Sequence, residues 1–337
     1  MGLVIICGGF FGDEGKGKIA GYLALRDKPE IAVRTGSVNA GHTAVYNNKR
    51  FKFRLLPVAA LNNYSRLLLP AGCLIRLDVL FKELELTNSK DRLGIDRQAG
   101  VIESRHVEME KRDAIMKGIG STMQGVGAAM ADRVMRRLRI ARDVSELKPF
   151  ITDVAIEVNE ALNKGLNVMI EGTQGLFLSL YHGTYPFVTS RDTSASAILS
   201  EVGIGPKKVD EIILVLKSYV TRVGSGPLPD ELSEEEANRR GLVEIATVTG
   251  RRRRIALFNI ELAKRAVIIN SATQVAITKL DILFREAAGK KHWSDLPLEA
   301  RKWIEDLEDE LGVPITLIGT GEDVYDTIDL RHDKLGP

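Results

Sequence analysis

Short apolar runs alternate with amphipathic segments along the chain, and polar or glycine-rich turns follow most of the apolar runs. The apolar runs predict buried strands, and apolar residues that recur every three or four positions predict helices. Strands are predicted over residues 3–7, 31–34, 67–69, 168–170, 212–216, 275–278 and 315–318. Helices are predicted over residues 16–25, 77–86, 255–269 and 297–312, and a further one where Phe150, Val154, Val158 and Leu162 recur at helical spacing.

This alternation of strands and helices is typical of an α/β fold. We expect a mostly parallel central sheet with helices on both faces, and a P-loop-like core with insertions. No internal repeat or linker divides the chain, so residues 1–337 are expected to form one domain.

Two segments carry more specific local patterns. Residues 44–46 and 50–55 flank Asn47 and Asn48, which tolerate positive φ, so a β-hairpin is predicted there. Residues 121–142 begin with glycines and are then predicted to form a helix that carries Arg133, Arg136, Arg137 and Arg139.

Composition narrows the class of protein. The chain has 337 residues, of which 44% are hydrophobic and 27% charged, and its net charge is +2, so nothing global indicates a nucleic-acid or membrane partner. No apolar run approaches the length of a membrane span, and a strand begins at the N-terminus, where a signal peptide would lie. Cys7 and Cys73 lie in apolar contexts without paired spacing, which is typical of reduced thiols in a cytoplasmic protein.

The glycine-rich turn over residues 8–18 joins the first strand to the first helix, which is a phosphate-binding geometry. Residues 12–18 fit the spacing G-x-x-x-x-G-K, but Ile19 follows where a P-loop needs Ser or Thr for magnesium. A nucleotide site here needs another metal ligand, and Asp13 is the nearest candidate. A glycine turn without a ligand is the alternative.

Polar loops follow five predicted strands, and ligands of α/β proteins gather at such strand ends. Residues 278–281 match the [N/T]-K-x-D pattern that reads guanine, because Asp281 can accept from N1–H and the 2-amino group. A helix-capping aspartate is the alternative interpretation.

The arginines at 251–254 form either a solvated face or a site for phosphates and a carboxylate. His42, between Gly41 and Thr43, is a candidate proton donor.

Seven motifs in chain order together resemble the adenylosuccinate synthetase family. They are GDEGKGK (12–18), NAGHT (39–43), EGTQG (171–175), HGTYPFVT (182–189), TRVG (221–224), TGRRRR (249–254) and TKLD (278–281). The resemblance implies a GTP-dependent ligase that uses magnesium and joins IMP and L-aspartate through a 6-phosphoryl-IMP intermediate. The products are adenylosuccinate, GDP and phosphate, in the first committed step from IMP to AMP.

The resemblance also implies roles for individual residues. Asp13 is the base that deprotonates IMP and a magnesium ligand, His42 is the general acid, and the Gly41 carbonyl is a second metal ligand. GTP contacts are implied at Gly12, Glu14, Gly15, Lys16, Gly17, Lys18, Arg253, Lys279, Leu280, Asp281, Gly319, Thr320 and Gly321. IMP contacts are implied at Asp13, Lys16, Asn39, Ala40, Gly41, His42, Thr122, Gln174, Thr189 and Arg251, with Arg136 supplied by the neighbouring subunit of a homodimer. Aspartate contacts are implied at Thr247, Val248, Thr249, Gly250, Arg251, Arg252 and Arg253.

The chain departs from the family pattern at two places. Gln124 stands where most members have an arginine, so that arginine's contacts do not carry over. Residues 143–164 and 281–293 are shorter than in most members, and we expect these to be lost surface elements.

Two other functions fit parts of the pattern. A phosphotransferase would use the same base and phosphate loop without aspartate, but the arginine cluster suits a dicarboxylate. A GTP-binding switch would need the Ser or Thr that Ile19 replaces.

Overall fold

The structure, a computed structural model, describes residues 2–245, 250 and 252–336 and alternates short strands with helices. Its strands are β1 (Leu3–Gly8), β2 (Ile31–Arg34), β3 (His42–Tyr46), β4 (Lys49–Phe53), β5 (Arg66–Leu69), β6 (Leu74–Ile75), β7 (Leu93–Asp96), β8 (Gly100–Val101), β9 (Ile151–Thr152), β10 (Val168–Glu171), β11 (Glu211–Lys217), β12 (Val220–Arg222), β13 (Arg254–Ala256), β14 (Gln274–Thr278), β15 (Ile315–Gly319) and β16 (Thr327–Asp329). Its α-helices are α1 (Lys16–Arg26), α2 (Leu77–Thr87), α3 (Ser104–Arg112), α4 (Ala114–Gly118), α5 (Val126–Val134), α6 (Val154–Asn163), α7 (Ala195–Val202), α8 (Glu234–Arg239), α9 (Ile260–Asn270), α10 (Leu280–Leu283), α11 (Leu298–Leu311) and α12 (Arg331–Leu335).

Ten strands form one sheet in the order β16-β15-β14-β11-β1-β10-β2-β5-β7-β9. Strand β16 runs antiparallel to β15, and the other neighbours in this order are parallel. Ile5 of β1 lies beside Ile170 of β10 and Ile212 of β11. Because β1 is internal to the sheet, the glycine-rich turn that follows it opens in the middle of the carboxyl edge.

Both faces of the sheet are covered by helices. Leu3, Ile5 and Cys7 pack in one hydrophobic cluster that includes residues of α6, α7, α9 and α11. Val4 and Ile6 point to the other face, into a cluster that includes residues of α1, α2 and α5. A parallel sheet buried on both faces explains why its strands are continuous apolar runs in the sequence. The predicted α/β fold with helices on both faces is confirmed.

The predicted hairpin is also present. Strands β3 and β4 pair antiparallel, and Asn47 and Asn48 connect them with φ of 51° and 59°. Two consecutive residues with positive φ match the right-handed twist of the strands, and asparagine tolerates this conformation. The hairpin starts at His42, so its geometry fixes a candidate catalytic side chain.

The helix predicted over residues 255–269 begins later than expected. Ile255 belongs to β13 and pairs with Thr221 of β12. Helix α9 starts at Ile260, where the Asn259 side chain accepts a hydrogen bond from the Leu262 amide at 2.9 Å. The first residues of the predicted helix form a strand that pairs with β12, and the Asn259 cap determines where α9 begins.

Two other helix predictions were too long. Phe150 lies in a 3-10 turn before α6, which begins at Val154 after its cap, Asp153. Helix α5 ends at Val134, and Arg136 has a left-handed φ of 61°, which a continuing helix does not allow. Arg136, Arg137 and Arg139 therefore lie beyond the end of α5, although the predicted helix included them.

Among the described residues, no helix combines the length and the apolar character needed to cross a bilayer.

Gly21 lets α1 pack closely against three other segments. A Cβ atom at Gly21 would lie 2.9 Å from Val324 Cγ1, 3.3 Å from Val58 Cγ1 and 3.4 Å from Ala44 Cβ. We predict that Gly21→Ala lowers the free energy of unfolding by about 1–2 kcal/mol, because overpacking outweighs the helix propensity gain of about 1 kcal/mol. Denaturant unfolding measures this difference.

Gly205→Ala is the matched control for this packing test. A Cβ atom at Gly205 would meet no heavy atom within 4 Å, and its φ is −70°. Its free energy of unfolding should stay within about 0.5 kcal/mol of the unmodified protein. An unchanged or more stable Gly21→Ala protein would contradict the packing argument.

Candidate active site

A cavity of about 700 Å³ opens at the carboxyl edge of the sheet. It brings together the glycine-rich turn, the start of the β3–β4 hairpin, the turn before α5 and the loops after β10 and β14. The predicted site residues that line it are Gly12, Asp13, Gly15, Lys16, Gly17, Lys18, Asn39, Ala40, Gly41, His42, Thr122, Gln174, Thr189, Arg253, Lys279 and Gly321. Residues separated by more than 300 positions in the chain thus face one space.

Other predicted residues lie elsewhere. Those within the described part of the chain that do not line the cavity are Glu14, Arg136, Gly250, Arg252, Leu280, Asp281, Gly319 and Thr320. Thr247, Val248, Thr249 and Arg251 lie outside the described residues. The arginine cluster diverges: Arg252 donates to Asn238 Oδ1 at 2.6 Å, while Arg253 enters the cavity.

The glycine-rich turn is shaped by a buried carboxylate of its own. Glu14 Oε1 accepts from the Phe10 and Gly12 amides at 3.0 and 2.8 Å, and Oε2 lies 2.5 Å from Lys16 Nζ. The turn passes through positive φ at Gly12, Asp13 and Gly15. Because its oxygens are bonded within the turn, Glu14 positions Lys16 and the backbone instead of facing the cavity.

Asp13 faces the cavity as part of a network of charges. Its Oδ1 lies 2.9 Å from Arg253 Nη2. Burial raises the pKa of Asp13, and the Arg253 guanidinium opposes this rise. Arg253 Nη1 also pairs with Glu244, which lies 3.2 Å from Lys217 Nζ. Burial would raise the pKa of Glu244, but Lys217 and Arg253 outweigh it and hold the pKa at about 2.

His42 is held by a second buried carboxylate, Glu171. Its Nδ1 contacts Glu171 Oε1, which Arg34 Nη1 also contacts, and Glu171 Oε2 accepts from the Val58 amide at 2.8 Å. Burial and the Arg34 charge lower the pKa of His42 to about 3, although Glu171 opposes them. His42 is therefore neutral at pH 7, with its proton on Nδ1 toward the carboxylate. Its Nε2 has no partner among the described residues.

Glu171 is a site residue that the sequence analysis did not assign. The available signal was a carboxylate directly after the apolar run 168–170, in register with Arg34 of the neighbouring strand. The sequence alone does not show that Glu171 contacts His42, since the two residues are 129 positions apart in the chain. Glu244 was missed for the same reason.

The GTP motif after β14 is joined to the glycine-rich turn. Thr278 Oγ1 donates to the Glu14 carbonyl at 2.5 Å, and Lys279 adopts a φ of 62°. Burial raises the pKa of Asp281, and its Oδ1 is buried without a partner among the described residues. An unpaired acceptor of this kind suits a ligand that donates hydrogen bonds.

Lys18 lies at this same end of the cavity. Its ammonium donates to the Asp323 carbonyl, and burial lowers its pKa to about 8. A Cβ atom at Gly319 would lie 2.8 Å from Lys18 Cε, so the lysine stem packs on that glycine. Lys18 thus lies among the residues expected to contact the base of GTP. The Thr320 side chain has a structural role, since its Oγ1 donates a hydrogen bond to the Lys290 carbonyl at 2.8 Å.

The predicted IMP contacts share the other part of the cavity. Asn39 Nδ2 donates to Thr189 Oγ1 at 3.5 Å, and Gln174 has a φ of 59°. Arg136 is exposed and does not line the cavity of its own chain.

The chain matches one family along most of its length. A family model described as adenylosuccinate synthetase matches residues 5–145 and 138–288. The adenylosuccinate synthetase of Pyrococcus horikoshii is 49% identical over 336 residues, covering 98% of this chain and 99% of the relative. That of Methanococcus aeolicus is 50% identical over 336 residues, covering 98% and 100%.

The fold agrees with a solved structure of the same family. A fully ligated adenylosuccinate synthetase from Plasmodium falciparum superimposes with a TM-score of 0.91 at 26% sequence identity. The match covers 98% of this chain and 100% of that chain.

The buried charge of Glu171 has a predictable effect on stability. Glu171→Gln leaves the Arg34 guanidinium without its counter-charge, so we predict a loss of about 3–5 kcal/mol in the free energy of unfolding at pH 7. The matched control is Glu157→Gln, which breaks the half-exposed pair with Arg66 and should cost less than about 1 kcal/mol. Urea unfolding compares the two.

The same pair has a pH dependence of known sign. Burial would raise the pKa of Glu171, but Arg34 and His42 outweigh it and hold the pKa below its usual value. The stabilisation is therefore present above the ordinary glutamate pKa of about 4.3 and is lost as the pH falls through the lowered value. The difference between Glu171→Gln and the unmodified protein should shrink at acid pH; a constant difference would contradict this assignment.

Proposed function

The chain belongs to the adenylosuccinate synthetase family, and we propose that it joins IMP to L-aspartate while cleaving GTP, giving adenylosuccinate, GDP and phosphate. This reaction commits IMP to the synthesis of AMP. The observation that carries the proposal is that one cavity joins Asp13, His42 and the GTP motif at Lys279.

The first step activates IMP at Asp13. Its carboxylate accepts the N1 proton of IMP, and the negative charge moves to the 6-oxygen, which attacks the γ-phosphorus of GTP. GDP leaves, and 6-phosphoryl-IMP remains. The left-handed backbone of Asp13, φ 61°, presents the base from within the same turn that contacts the phosphates. Base and phosphate site are therefore close together, which a concerted transfer requires.

His42 serves the transferring phosphoryl group. In the free protein, its Nε2 is an acceptor, so acting as general acid requires a second proton. An anionic phosphoryl group near Nε2 favours that protonation, and Glu171 stabilises the imidazolium through Nδ1. Glu171 is thus a positioning residue that also prepares His42 for charge.

The second step uses aspartate. Its amine attacks C6 of the intermediate and displaces phosphate, and the proton of the amine leaves with the product phosphate. Residues 247–253, with Arg251, Arg252 and Arg253 among them, are proposed to bind the two carboxylates. Guanidinium groups bind carboxylates through paired hydrogen bonds, which supports an arginine loop here.

The oxygen donors at the turn fit magnesium, which prefers one or two carboxylates together with substrate phosphates. Asp13 and Gly41 line the same cavity. The Arg253 guanidinium lies 2.9 Å from Asp13 Oδ1, so this carboxylate is in contact with a positive charge. Among the described residues, no group of three or more His, Cys, Asp or Glu side chains could hold a metal. We propose that Asp13 and the Gly41 carbonyl hold Mg²⁺ with GTP. When bound, the ion neutralises phosphate charge.

The remaining proposals concern the assembly. We propose a homodimer in which Arg136 reaches the IMP phosphate in the neighbouring subunit, and its exposure outside its own cavity supports this. We also propose that the chain acts as one domain in the cytoplasm. Cys7 and Cys73 are free and buried, which is typical of a reducing compartment.

An assay with Asp13→Asn tests the function and the base together. The unmodified protein with IMP, GTP and Mg²⁺ should form adenylosuccinate, followed by absorbance, only when aspartate is present. Asp13→Asn should reduce this turnover by about 1000-fold or more, because asparagine keeps the backbone conformation but cannot accept the proton.

The control for this assay is Asp230→Asn, another aspartate with positive φ, 56°, which bonds to Asn259. It should keep normal turnover. Phosphate release without aspartate and without adenylosuccinate would favour the phosphotransferase instead.

Mixing two impaired variants tests the shared site. Arg136→Leu should raise the KM for IMP, whereas Arg137→Leu, the exposed neighbour, should not. An equal mixture of Arg136→Leu and Asp13→Asn should recover about a quarter of the normal sites, because half of the dimers are mixed and each has one intact site. No recovery in a preparation that contains mixed dimers would rule out the shared site.

A further inference from the structure

Two arginines from separate segments meet at Gln124. Its Oε1 accepts from Arg54 Nη2 at 2.5 Å and from Arg76 Nη1 at 3.2 Å. Arg54 directly follows β4, and Arg76 directly precedes α2. Only the amide oxygen can face two guanidinium groups, since these groups donate and never accept. The orientation of the Gln124 amide is therefore settled by its neighbours.

Arg54 is fixed by its own surroundings. Its Nε donates to the Val38 carbonyl at 2.7 Å, and its backbone amide donates to Glu83 Oε1 at 2.6 Å. No carboxylate pairs with its guanidinium among the described residues. Burial and the nearby Arg76 charge lower its pKa. Arg76 is paired with Asp78 at 2.5 Å. The two cations therefore share a neutral acceptor, and a third guanidinium at position 124 would be repelled.

Gln124 also connects the two arginines to the turn that carries Thr122. Its Nε2 donates to the Thr122 carbonyl at 3.2 Å. Met123, between them, has a φ of 54°, which is costly for a residue with a long side chain. On the other side, Glu110 accepts from the Gly125 and Gly127 amides, each at 2.7 Å. The strained turn is held from both sides.

We propose that Arg54 and Arg76 are positioning residues for IMP that act through Gln124. Gln124 holds the turn that presents Thr122, and the Arg54 bond to the Val38 carbonyl holds the segment that presents Asn39. Both Asn39 and Thr122 line the cavity, whereas Arg54, Arg76 and Gln124 do not. The inference rests on the proposed function, because it assigns IMP to these two side chains.

Steady-state kinetics of Arg54→Met, Arg76→Met and Gln124→Leu test this role. Each should raise the KM for IMP by about tenfold, the effect of losing a hydrogen bond that involves a charged group. The kcat and the KM for GTP should stay within about twofold, since the residues act only on the IMP side.

Arg92→Met is the matched control. Arg92 is also partly buried and donates to the neutral carbonyls of Ser65 and Asn62, at 2.7 and 2.8 Å, but does not line the cavity. It should leave the KM for IMP unchanged. An equal rise in Arg92→Met would mean that any loss of a buried arginine gives the effect, and it would overturn the proposal.

A double-variant comparison tests whether the arginines act through Gln124. Arg76→Met with Gln124→Leu should raise the KM for IMP no more than Gln124→Leu alone. Additive effects would show that the Arg76 charge acts on IMP directly and would overturn the positioning role. Arg76 is the arginine chosen because it is partly exposed, so we expect the fold to tolerate its loss; thermal unfolding checks this.

The outcomes also separate this inference from the proposed function. No adenylosuccinate from the unmodified protein would defeat the function itself. An active protein whose three variants keep the normal KM for IMP, or change only the KM for aspartate, would defeat the inference alone.

Discussion

Buried carboxylates that each hold a basic side chain organise the cavity. Glu14 holds Lys16, Glu171 holds His42, and Glu244 holds Arg253. A lone buried charge costs several kcal/mol, so each glutamate needs a cation beside it, and for Glu171 this cation is Arg34 because His42 is neutral. The carboxyl edge of a parallel sheet is where such groups gather, because the faces of the sheet are covered by apolar helices.

The network also defines the state before substrates bind. Asp13 is paired with Arg253, and His42 offers an unprotonated Nε2 to the cavity. In the proposed mechanism, substrates that carry phosphate groups change both conditions, since they compete for the arginine and favour a second proton on the histidine. Charge exchange among fixed side chains can thus accompany binding without rearrangement of the sheet.

Gln124 is a neutral side chain at which two arginines meet. Arg54 and Arg76 approach from neighbouring segments and leave space for a neutral acceptor only. Gln124 donates to the Thr122 carbonyl and helps to hold the turn, although Met123 takes a conformation that suits glycine better.

The sequence by itself determined the α/β fold, most strand positions, the β3–β4 hairpin and the loops at the sheet edge, because periodicity and turn residues act over a few positions. Its local motifs also predicted Asp13, His42 and Asp281 as candidate site residues. Only the three-dimensional structure showed that Ile255 extends a strand, that Arg136 lies beyond its helix, that Lys18 lies by Asp323, that Glu171 holds His42 and that Glu244 holds Arg253. These outcomes depend on pairing between segments far apart in the chain, which local patterns do not encode.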